Sequence, residues 1–264
     1  MFESTILGII QGIAEWLPIS SEGLLVLVKT NIFGDVSGLK GIIRIALFLH
    51  LGTFFAALVY FRKDVFSLIK SFFKYKSADE EHKKILIFLI VATVISGIIG
   101  FLFINIFIKL EDQINITPKI ITLIIGLLLL ITAFLQIKAP SRGYKNSKDL
   151  KIKDGVLLGL MQGLAVLPGL SRSGLTVSTL LLRKFDDTQS LRLSFLMSLP
   201  IVLFGNIFLN VNDSLFSTEA LIGLIFAFVF GILTIHLLLK LAKKINFGYF
   251  VLIFAVLTIL SLFV

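Results

Sequence analysis

The same short motif occurs twice in this chain, in residues 11–23 and again in residues 162–174. Aligned without a gap, the two copies share Gln, Gly, Ala, Ser and Gly at matching positions. Each copy consists of an apolar helical segment that breaks at a proline, a serine-rich turn and a second apolar segment. Hydrophobic helices that are interrupted at corresponding places in two halves of a chain are typical of a site at membrane depth between repeats. The duplication therefore predicts where the functional site lies.

Composition places the chain in a membrane. Of its 264 residues 57% are hydrophobic, and the mean hydropathy is +1.01, values outside the range of ordinary soluble domains. Its apolar segments, about 18–25 residues long, can cross a hydrocarbon core of about 30 Å as helices, and they lack the alternation of a membrane β-barrel. The chain has no cysteine, which excludes disulfides and thiol chemistry. The net charge of +9 indicates cationic loops beside a membrane and argues against a nucleic-acid partner.

The hydropathy pattern predicts an all-α polytopic membrane protein, a single membrane domain over residues 1–264. Six full spans are predicted, at residues 40–61, 85–108, 120–137, 189–209, 219–239 and 247–264. The motif-bearing segments 2–31 and 154–182 are too interrupted to be simple spans, so each is predicted to be a re-entrant helix–turn–helix hairpin. Such irregular backbone is tolerated at membrane depth only when it is buried in protein or lines a wet cavity.

Loop charges predict the orientation of the spans. Loops 62–84, 138–153 and 240–246 are rich in Lys and Arg, whereas loops 109–119 and 210–218 carry few cations. Because basic loops stay on the cytoplasmic side, the two hairpins enter the membrane from opposite sides. The chain is therefore predicted to be an inverted-topology repeat with halves at approximately 1–137 and 154–264.

Two ionisable residues within the hairpins are candidates for function, because charges at membrane depth are costly. Glu15 lies in the first motif and Arg172 in the second. Five hydroxyl residues accompany them: Ser20, Ser21, Ser171, Ser173 and Thr176. The helix that follows each turn directs N–H groups into the site, and the guanidinium of Arg172 suits phosphate. We interpret the second hairpin as a phosphate cradle, and the first as the source of an acid or base and a nucleophile.

A purely structural role remains an alternative for several of these residues. Glu15 and Arg172 would also serve as a structural ion pair, although such a pair needs no surrounding hydroxyls. Gln11 and Gln162 are equally suited to binding a ligand and to satisfying broken backbone. Ser20 and Ser171 occupy equivalent positions and are also explained as helix caps. Two further candidates are weaker, because Glu22 is suited to the first turn of a helix and His50 to a buried core position.

At these motifs the chain resembles the undecaprenyl pyrophosphate phosphatase family, of the bacitracin-resistance type. The resemblance rests on residues 11–21 and 168–174, which occur in order and at the expected separation, and on Leu51-Gly52-Thr53. It implies a plasma-membrane hydrolase whose site faces the extracytoplasmic side. Such an enzyme converts an undecaprenyl- or dolichol-type polyprenyl diphosphate to the monophosphate and inorganic phosphate, with a divalent cation, Mg²⁺ or Ca²⁺. The lipid carrier is thereby recycled for envelope biogenesis, with antibiotic resistance as a consequence.

The resemblance also implies roles for individual residues. It makes Glu15 a catalytic carboxylate and metal ligand, Ser21 the nucleophile and Arg172 the diphosphate-binding group. The residues predicted to contact substrate are Gln11, Ser20, Ser171, Ser173, Gly174 and Thr176.

One departure from the family pattern affects the predicted chemistry. Leu24 stands where bacterial members continue with His, so the pattern looks like that of a divergent, archaeal member. Either Glu15 acts as the base, helped by Glu22 or His50, or the chain has lost hydrolysis. In the second case it is a polyprenyl-phosphate transporter, which would use the same cradle. A homodimer is left open.

Overall fold

The chain folds as a bundle of helices of very different lengths. A computed structural model describes residues 1–34, 39–113, 117–140, 143–210, 217–242 and 244–263. Within these residues eleven α-helices are joined by turns and short 3₁₀ segments. The helices are α1 (Phe2–Ala14), α2 (Ser21–Asn31), α3 (Leu39–Tyr60), α4 (Arg62–Phe73), α5 (Glu80–Gln113), α6 (Pro118–Lys138), α7 (Ile152–Leu164), α8 (Arg172–Leu182), α9 (Asp187–Asn210), α10 (Thr218–Ala242) and α11 (Phe247–Leu260).

Five helices are long and apolar enough to cross a membrane, so the chain is a multi-pass membrane protein. The five segments are Gly41–Tyr60, Glu80–Ile106, Pro118–Lys138, Asp187–Phe208 and Thr218–Leu241, which correspond to the first five predicted spans.

The sixth predicted span, 247–264, is a shorter apolar helix. Helix α11 ends at Leu260 and is followed by a 3₁₀ turn, Ser261–Phe263. At about 1.5 Å per residue the described part of the segment, 247–263, reaches about 25 Å, so the sixth span is not confirmed and stays a prediction. Parts of the predicted loops lie outside the described residues, namely 114–116, 141–142, 211–216 and Lys243.

Both motif copies form a helix, a break and a second helix, as the sequence predicted. The first break separates α1 from α2 and the second separates α7 from α8. Each break contains a residue with left-handed backbone, Ser20 at φ 64° and Gly169 at φ 105°. A hydroxyl then caps the following helix: Ser20 Oγ accepts from Gly23 N (3.2 Å), and Ser171 Oγ accepts from Gly174 N (3.0 Å). The alternative interpretation of Ser20 and Ser171 as helix caps is therefore confirmed.

The first helix of each motif copy packs closely against a long helix through glycines. Helix α1 lies along α10, where a Cβ on Gly12 would stand 2.8 Å from the carbonyl oxygen of Ala227. Helix α7 lies along α5 in the same way, and a Cβ on Gly159 would stand 2.9 Å from the carbonyl oxygen of Ala92. Small residues that let backbones approach are typical of helix contacts in membranes. These contacts fix the end of each short helix, and with it the position of each break.

Candidate functional site between the two broken helices

The two breaks, far apart in sequence, contact each other directly. Ser20 Oγ accepts a hydrogen bond from Gly169 N (3.1 Å) in the second break. In return, Ser173 Oγ donates to the carbonyl oxygen of Leu17 (3.2 Å) in the first. Because buried backbone groups released by a break need partners, these bonds both satisfy the breaks and hold them together. The two motif copies therefore form one site, as their duplication predicted.

Helix α6 supplies further partners for both breaks, which the sequence analysis did not identify. Thr132 Oγ1 donates to the carbonyl oxygen of Gly169 and accepts from Ser171 N, each at 3.2 Å. Gln136 Nε2 donates to the carbonyl oxygen of Pro18 (2.6 Å). The sequence signal that could have identified them is a pair of polar residues within an otherwise apolar span. Their contacts make α6 the support on which both breaks rest.

Glu15 lies at the centre of the polar contacts, with only 7% of its side chain exposed. Its Oε2 accepts from Ser21 Oγ (2.8 Å) and from Gln11 Nε2 (3.0 Å), and His50 Nε2 lies 3.3 Å away. Its Oε1 pairs with Nη2 of Arg172 across the two breaks. The structure therefore brings together the three residues predicted to be catalytic, Glu15, Ser21 and Arg172.

The two terminal guanidinium nitrogens of Arg172 differ in their hydrogen bonding. Nη2 pairs with Glu15, whereas Nη1 is buried and has no hydrogen-bond partner among the described residues. The guanidinium carbon also lies 5.5 Å from the centre of the Phe195 ring, a cation–π contact. A buried, unpaired donor of this kind is unfavourable unless a ligand satisfies it. The fork is thus prepared to bind an anion with Nη1 while it holds Glu15 with Nη2.

These residues line one part of a cavity of about 670 Å³. Its polar wall comes from both breaks and from α3, namely Glu15, Ser20, Ser21, Glu22, His50, Ser171, Arg172 and Ser173. The rest of the wall is largely apolar and comes mainly from α5 and α9, including Val94, Ile98, Phe101, Ile104, Ile201, Val202, Phe204 and Phe208. Thr93, Ser96 and Gln162 add further polar side chains to it. A space with one charged wall and a long apolar wall suits an anionic head attached to a hydrocarbon chain.

Three predicted substrate-contacting residues do not line this cavity. Gln11 donates a hydrogen bond from Nε2 to Glu15 Oε2. Thr176 is fully buried, and its hydroxyl bonds to the carbonyl oxygen of Arg172 (2.8 Å) and to Ser194 Oγ (2.6 Å). Gly174 lies against α6, where an added Cβ would stand 2.6 Å from Gln136 Nε2. In the geometry described, all three contact protein and position the groups that line the cavity.

The imidazole that faces the site comes from α3 and not from the first motif. Leu24, at the motif position, packs with apolar neighbours of the core. His50 instead approaches Glu15 with Nε2, and its Nδ1 lies 2.6 Å from the carbonyl oxygen of Ala46. Because the Ala46 oxygen can only accept, Nδ1 carries a proton and Nε2 is the nitrogen directed at the carboxylate.

The carboxylates suit a divalent cation only if the substrate supplies most of the ligands. Among the described residues, no group of three or more His, Cys, Asp or Glu side chains is arranged to hold a metal ion. Glu15 and Glu22 nevertheless both line the cavity. Mg²⁺ is commonly held by one or two carboxylates together with substrate phosphates. The residues therefore fit a cation that arrives with a phosphate group, and they do not form a cage of their own.

The fold and the site together define a polytopic membrane protein with a buried polar site, centred on the Glu15–Arg172 pair, between two broken helices. The chain belongs to the family described as bacitracin resistance protein BacA, which matches residues 4–260. It is 42% identical over 265 residues to a protein named undecaprenyl-diphosphatase from Methanococcoides burtonii, covering 99% of this chain and 98% of that one. Proteins of the same name from Haloarcula marismortui and Alkaliphilus metalliredigens are 36% and 34% identical, over 92% and 94% of this chain and 90% and 93% of theirs. The resemblance noted in the motifs is thereby confirmed.

Proposed function

We propose that this protein is a polyprenyl-diphosphate phosphatase that removes the terminal phosphate of an undecaprenyl- or dolichol-type lipid diphosphate. The observation that carries the proposal is the unpaired, buried Nη1 of Arg172 beside the Glu15–Ser21 pair, at the head of a largely apolar cavity. The relatives described above are named for hydrolysis of such a lipid, and the family description refers to bacitracin resistance.

The geometry supports a specific division of labour. Arg172 binds and neutralises phosphate oxygens with Nη1, as phosphoryl transfer mainly requires positioning and charge stabilisation. Glu15 Oε2, which accepts the Ser21 hydrogen bond, takes the Ser21 proton as Oγ attacks the terminal phosphorus and the P–O bond to the lipid phosphate breaks. Water then hydrolyses the phosphoserine and restores Ser21. A direct variant, in which Glu15 removes a proton from a water that attacks phosphorus, uses the same residues.

A divalent cation remains part of the proposal. Glu15 and Glu22 are the carboxylates available to hold it together with the diphosphate. When bound, it would neutralise negative charge on the phosphate oxygens. Phosphate release that is unchanged after EDTA treatment and dialysis would remove the cation from the proposal.

The inverted-repeat arrangement is also proposed, and helix packing supports it. In the motif alignment α1 corresponds to α7, and by order α10 corresponds to α5. The contact of α1 with α10 then has its counterpart in the contact of α7 with α5. The cavity is lined by the later parts of α5 and α9, the ends that precede the predicted outer loops. A site facing the extracytoplasmic side of the plasma membrane follows if the basic loops are cytoplasmic.

Phosphate release separates hydrolysis from transport. Full-length protein purified in detergent is given a polyprenyl diphosphate with Mg²⁺ or Ca²⁺, and inorganic phosphate is measured. We expect release that depends on Arg172. The transporter alternative requires no release together with movement of the polyprenyl monophosphate across liposomes, and the names of the relatives do not favour it. Light scattering during the same purification tests for a homodimer.

A further inference from the structure

A second cavity, of about 370 Å³, lies near the start of α5 and is lined mainly by cations. It is formed by the first turn of α5, the segment that precedes α7, the start of α7 and the residue after α8. Six of the lining side chains are cationic and two are acidic. The cationic residues are Lys84, Lys145, Lys148, Lys151, Lys153 and Arg183, and the acidic residues are Asp149 and Asp154.

Hydrogen bonds within the protein already engage both acids. Asp154 is 1% exposed, and its carboxylate accepts from Arg183 Nε (2.9 Å) and from Lys151 N (2.9 Å). Asp149 accepts from Asn146 N (2.9 Å) and closes a 3₁₀ turn. These bonds fix the cavity wall, because they join the end of α8 to the start of α7. The two acids therefore have a structural role, and the cavity keeps an excess of cationic charge.

Three of the lysines are available to a ligand. The ammonium groups of Lys84 and Lys145 donate to the carbonyl oxygens of Lys148 and Arg183, respectively. In contrast, Lys148, Lys151 and Lys153 are exposed, and no hydrogen bond or ion pair engages their ammonium groups within the part of the chain that is described.

Asp79 lies within electrostatic reach of Lys148, but the backbone and ring of His82 already hydrogen-bond its carboxylate. The three free cations at one concave, rigid wall favour a ligand with several negative charges, such as a phosphate group.

An apolar stripe leads away from this cavity along α7. Ile152, Val156 and Leu160 follow one another at intervals of four residues, so they share a helix face, and all three are exposed. Helix α5, packed beside α7, exposes Ile90. In a chain that crosses a membrane, such a surface contacts hydrocarbon. The cationic cavity thus lies where a lipid headgroup would be if the acyl chains lay along this stripe.

We propose that this cavity binds the phosphate headgroup of an anionic phospholipid from the leaflet on the side of the basic loops. Basic pockets beside membrane helices are suited to anionic headgroups. The site is separate from the Glu15–Arg172 cavity and does not depend on the reaction assigned there.

The test compares two triple variants of the full-length chain. Lys148→Gln, Lys151→Gln and Lys153→Gln together remove three free charges from the cavity. Lys63→Gln, Lys70→Gln and Lys74→Gln remove three exposed charges from and beside α4, outside the cavity lining, and serve as the matched control. Native mass spectrometry then measures retention of phosphatidylglycerol against phosphatidylcholine. We expect the cavity variant to lose affinity for the anionic lipid by on the order of tenfold, and the control variant to keep the wild-type preference.

Two results would overturn the proposal. Equal losses in both variants would mean that the basic surface attracts anionic lipid without a site. Equal retention of the two lipids by the wild-type protein would mean that there is no preference to explain. A third variant, in which the three cavity lysines are changed to Arg, should keep the preference, because its charge is unchanged.

A soluble phosphate ligand is distinguished by a separate measurement. Calorimetric titration of the detergent-purified protein with inorganic pyrophosphate should give weak binding, and pyrophosphate should not displace bound phosphatidylglycerol. If pyrophosphate binds the wild-type protein tightly, fails to bind the cavity variant and displaces the lipid, the ligand is a soluble oligophosphate and the assignment to a lipid is wrong.

Discussion

His50 directs its Nε2 at Oε2 of Glu15 from a distance of 3.3 Å, although His50 lies on α3 and Glu15 in the break after α1. The first motif has Leu24 where bacterial relatives were expected to carry a histidine. Because Nδ1 of His50 is committed to the carbonyl oxygen of Ala46, the ring has a fixed orientation. An imidazole is therefore present at the carboxylate, but it is supplied from α3.

Replacing this imidazole should slow the reaction moderately. For His50→Gln we expect kcat to fall about 10-fold with little change in KM. This is less than the ~10²–10⁴-fold typical of a general acid or base itself, since Glu15 and Ser21 remain. Steady-state phosphate release gives both constants. His236→Gln, in which the replaced ring contacts Tyr60 outside the cavity, is the control. Full activity in both His50→Gln and His50→Leu would mean that His50 contributes to packing and not to the reaction.

Glu15 and Ser21 should behave as one functional unit. Glu15→Gln and Ser21→Ala should each lower kcat by roughly 10²-fold or more, since the first removes the base and the second removes the hydroxyl of the 2.8 Å Ser21–Glu15 hydrogen bond. The kcat of the double variant should be no lower than that of the less active single variant, because the effects of groups that act together are strongly non-additive. Ser67→Ala, remote from the cavity, controls for the loss of a hydroxyl. Additive effects in the double variant would contradict the shared role.

Arg172→Lys should impair activity although it keeps the charge. One ammonium group cannot both hold Glu15 and present a second, planar donor to phosphate. We expect kcat/KM to fall by on the order of 10²-fold or more, because either the charge-assisted contact to phosphate or the one to Glu15 is lost. Arg192→Lys, at the ion pair with Asp64 outside the cavity, should retain activity. Wild-type turnover by Arg172→Lys would mean that the guanidinium has a structural role only.

Thr132 should matter for stability, because one hydroxyl satisfies two backbone groups of the second break. Thr132→Val leaves Gly169 O and Ser171 N without this partner. We expect destabilisation of about 1–3 kcal/mol, the usual cost of unpaired buried polar groups. Thermal unfolding in detergent measures the effect against Thr258→Val, since that hydroxyl donates to the carbonyl oxygen of Phe254 in its own helix. Equal midpoints for the two variants would contradict the support assigned to α6.

Topology is testable with single cysteines, because the chain has none of its own. Ala78→Cys and Asn146→Cys should react with an impermeant thiol reagent only from the cytoplasm. Asp213→Cys, which lies outside the described residues, should react only from outside. Labelling of position 146 from outside would contradict the inverted arrangement, because it would put the two hairpins on the same side.

The sequence by itself determined the helical membrane fold and the pieces of the site. Hydrophobic segments of sufficient length must be helical in lipid, since every backbone group needs an internal partner. Five of the six predicted spans follow from this constraint, and the sixth, at α11, stays a prediction. The duplicated motif also identified both breaks, because proline and a serine-rich turn interrupt an otherwise apolar helix.

Only the tertiary structure decided which of these residues meet. Sequence periodicity carries no information about contacts between helices that are distant in the chain. Thr132 and Gln136 were not identified from the sequence, yet they hold the two breaks. Thr176 looked like a ligand contact, yet its hydroxyl is directed at Ser194. His50 came to Glu15 because α3 packs against the α1–α2 hairpin, which is a consequence of three-dimensional packing and not of the motif.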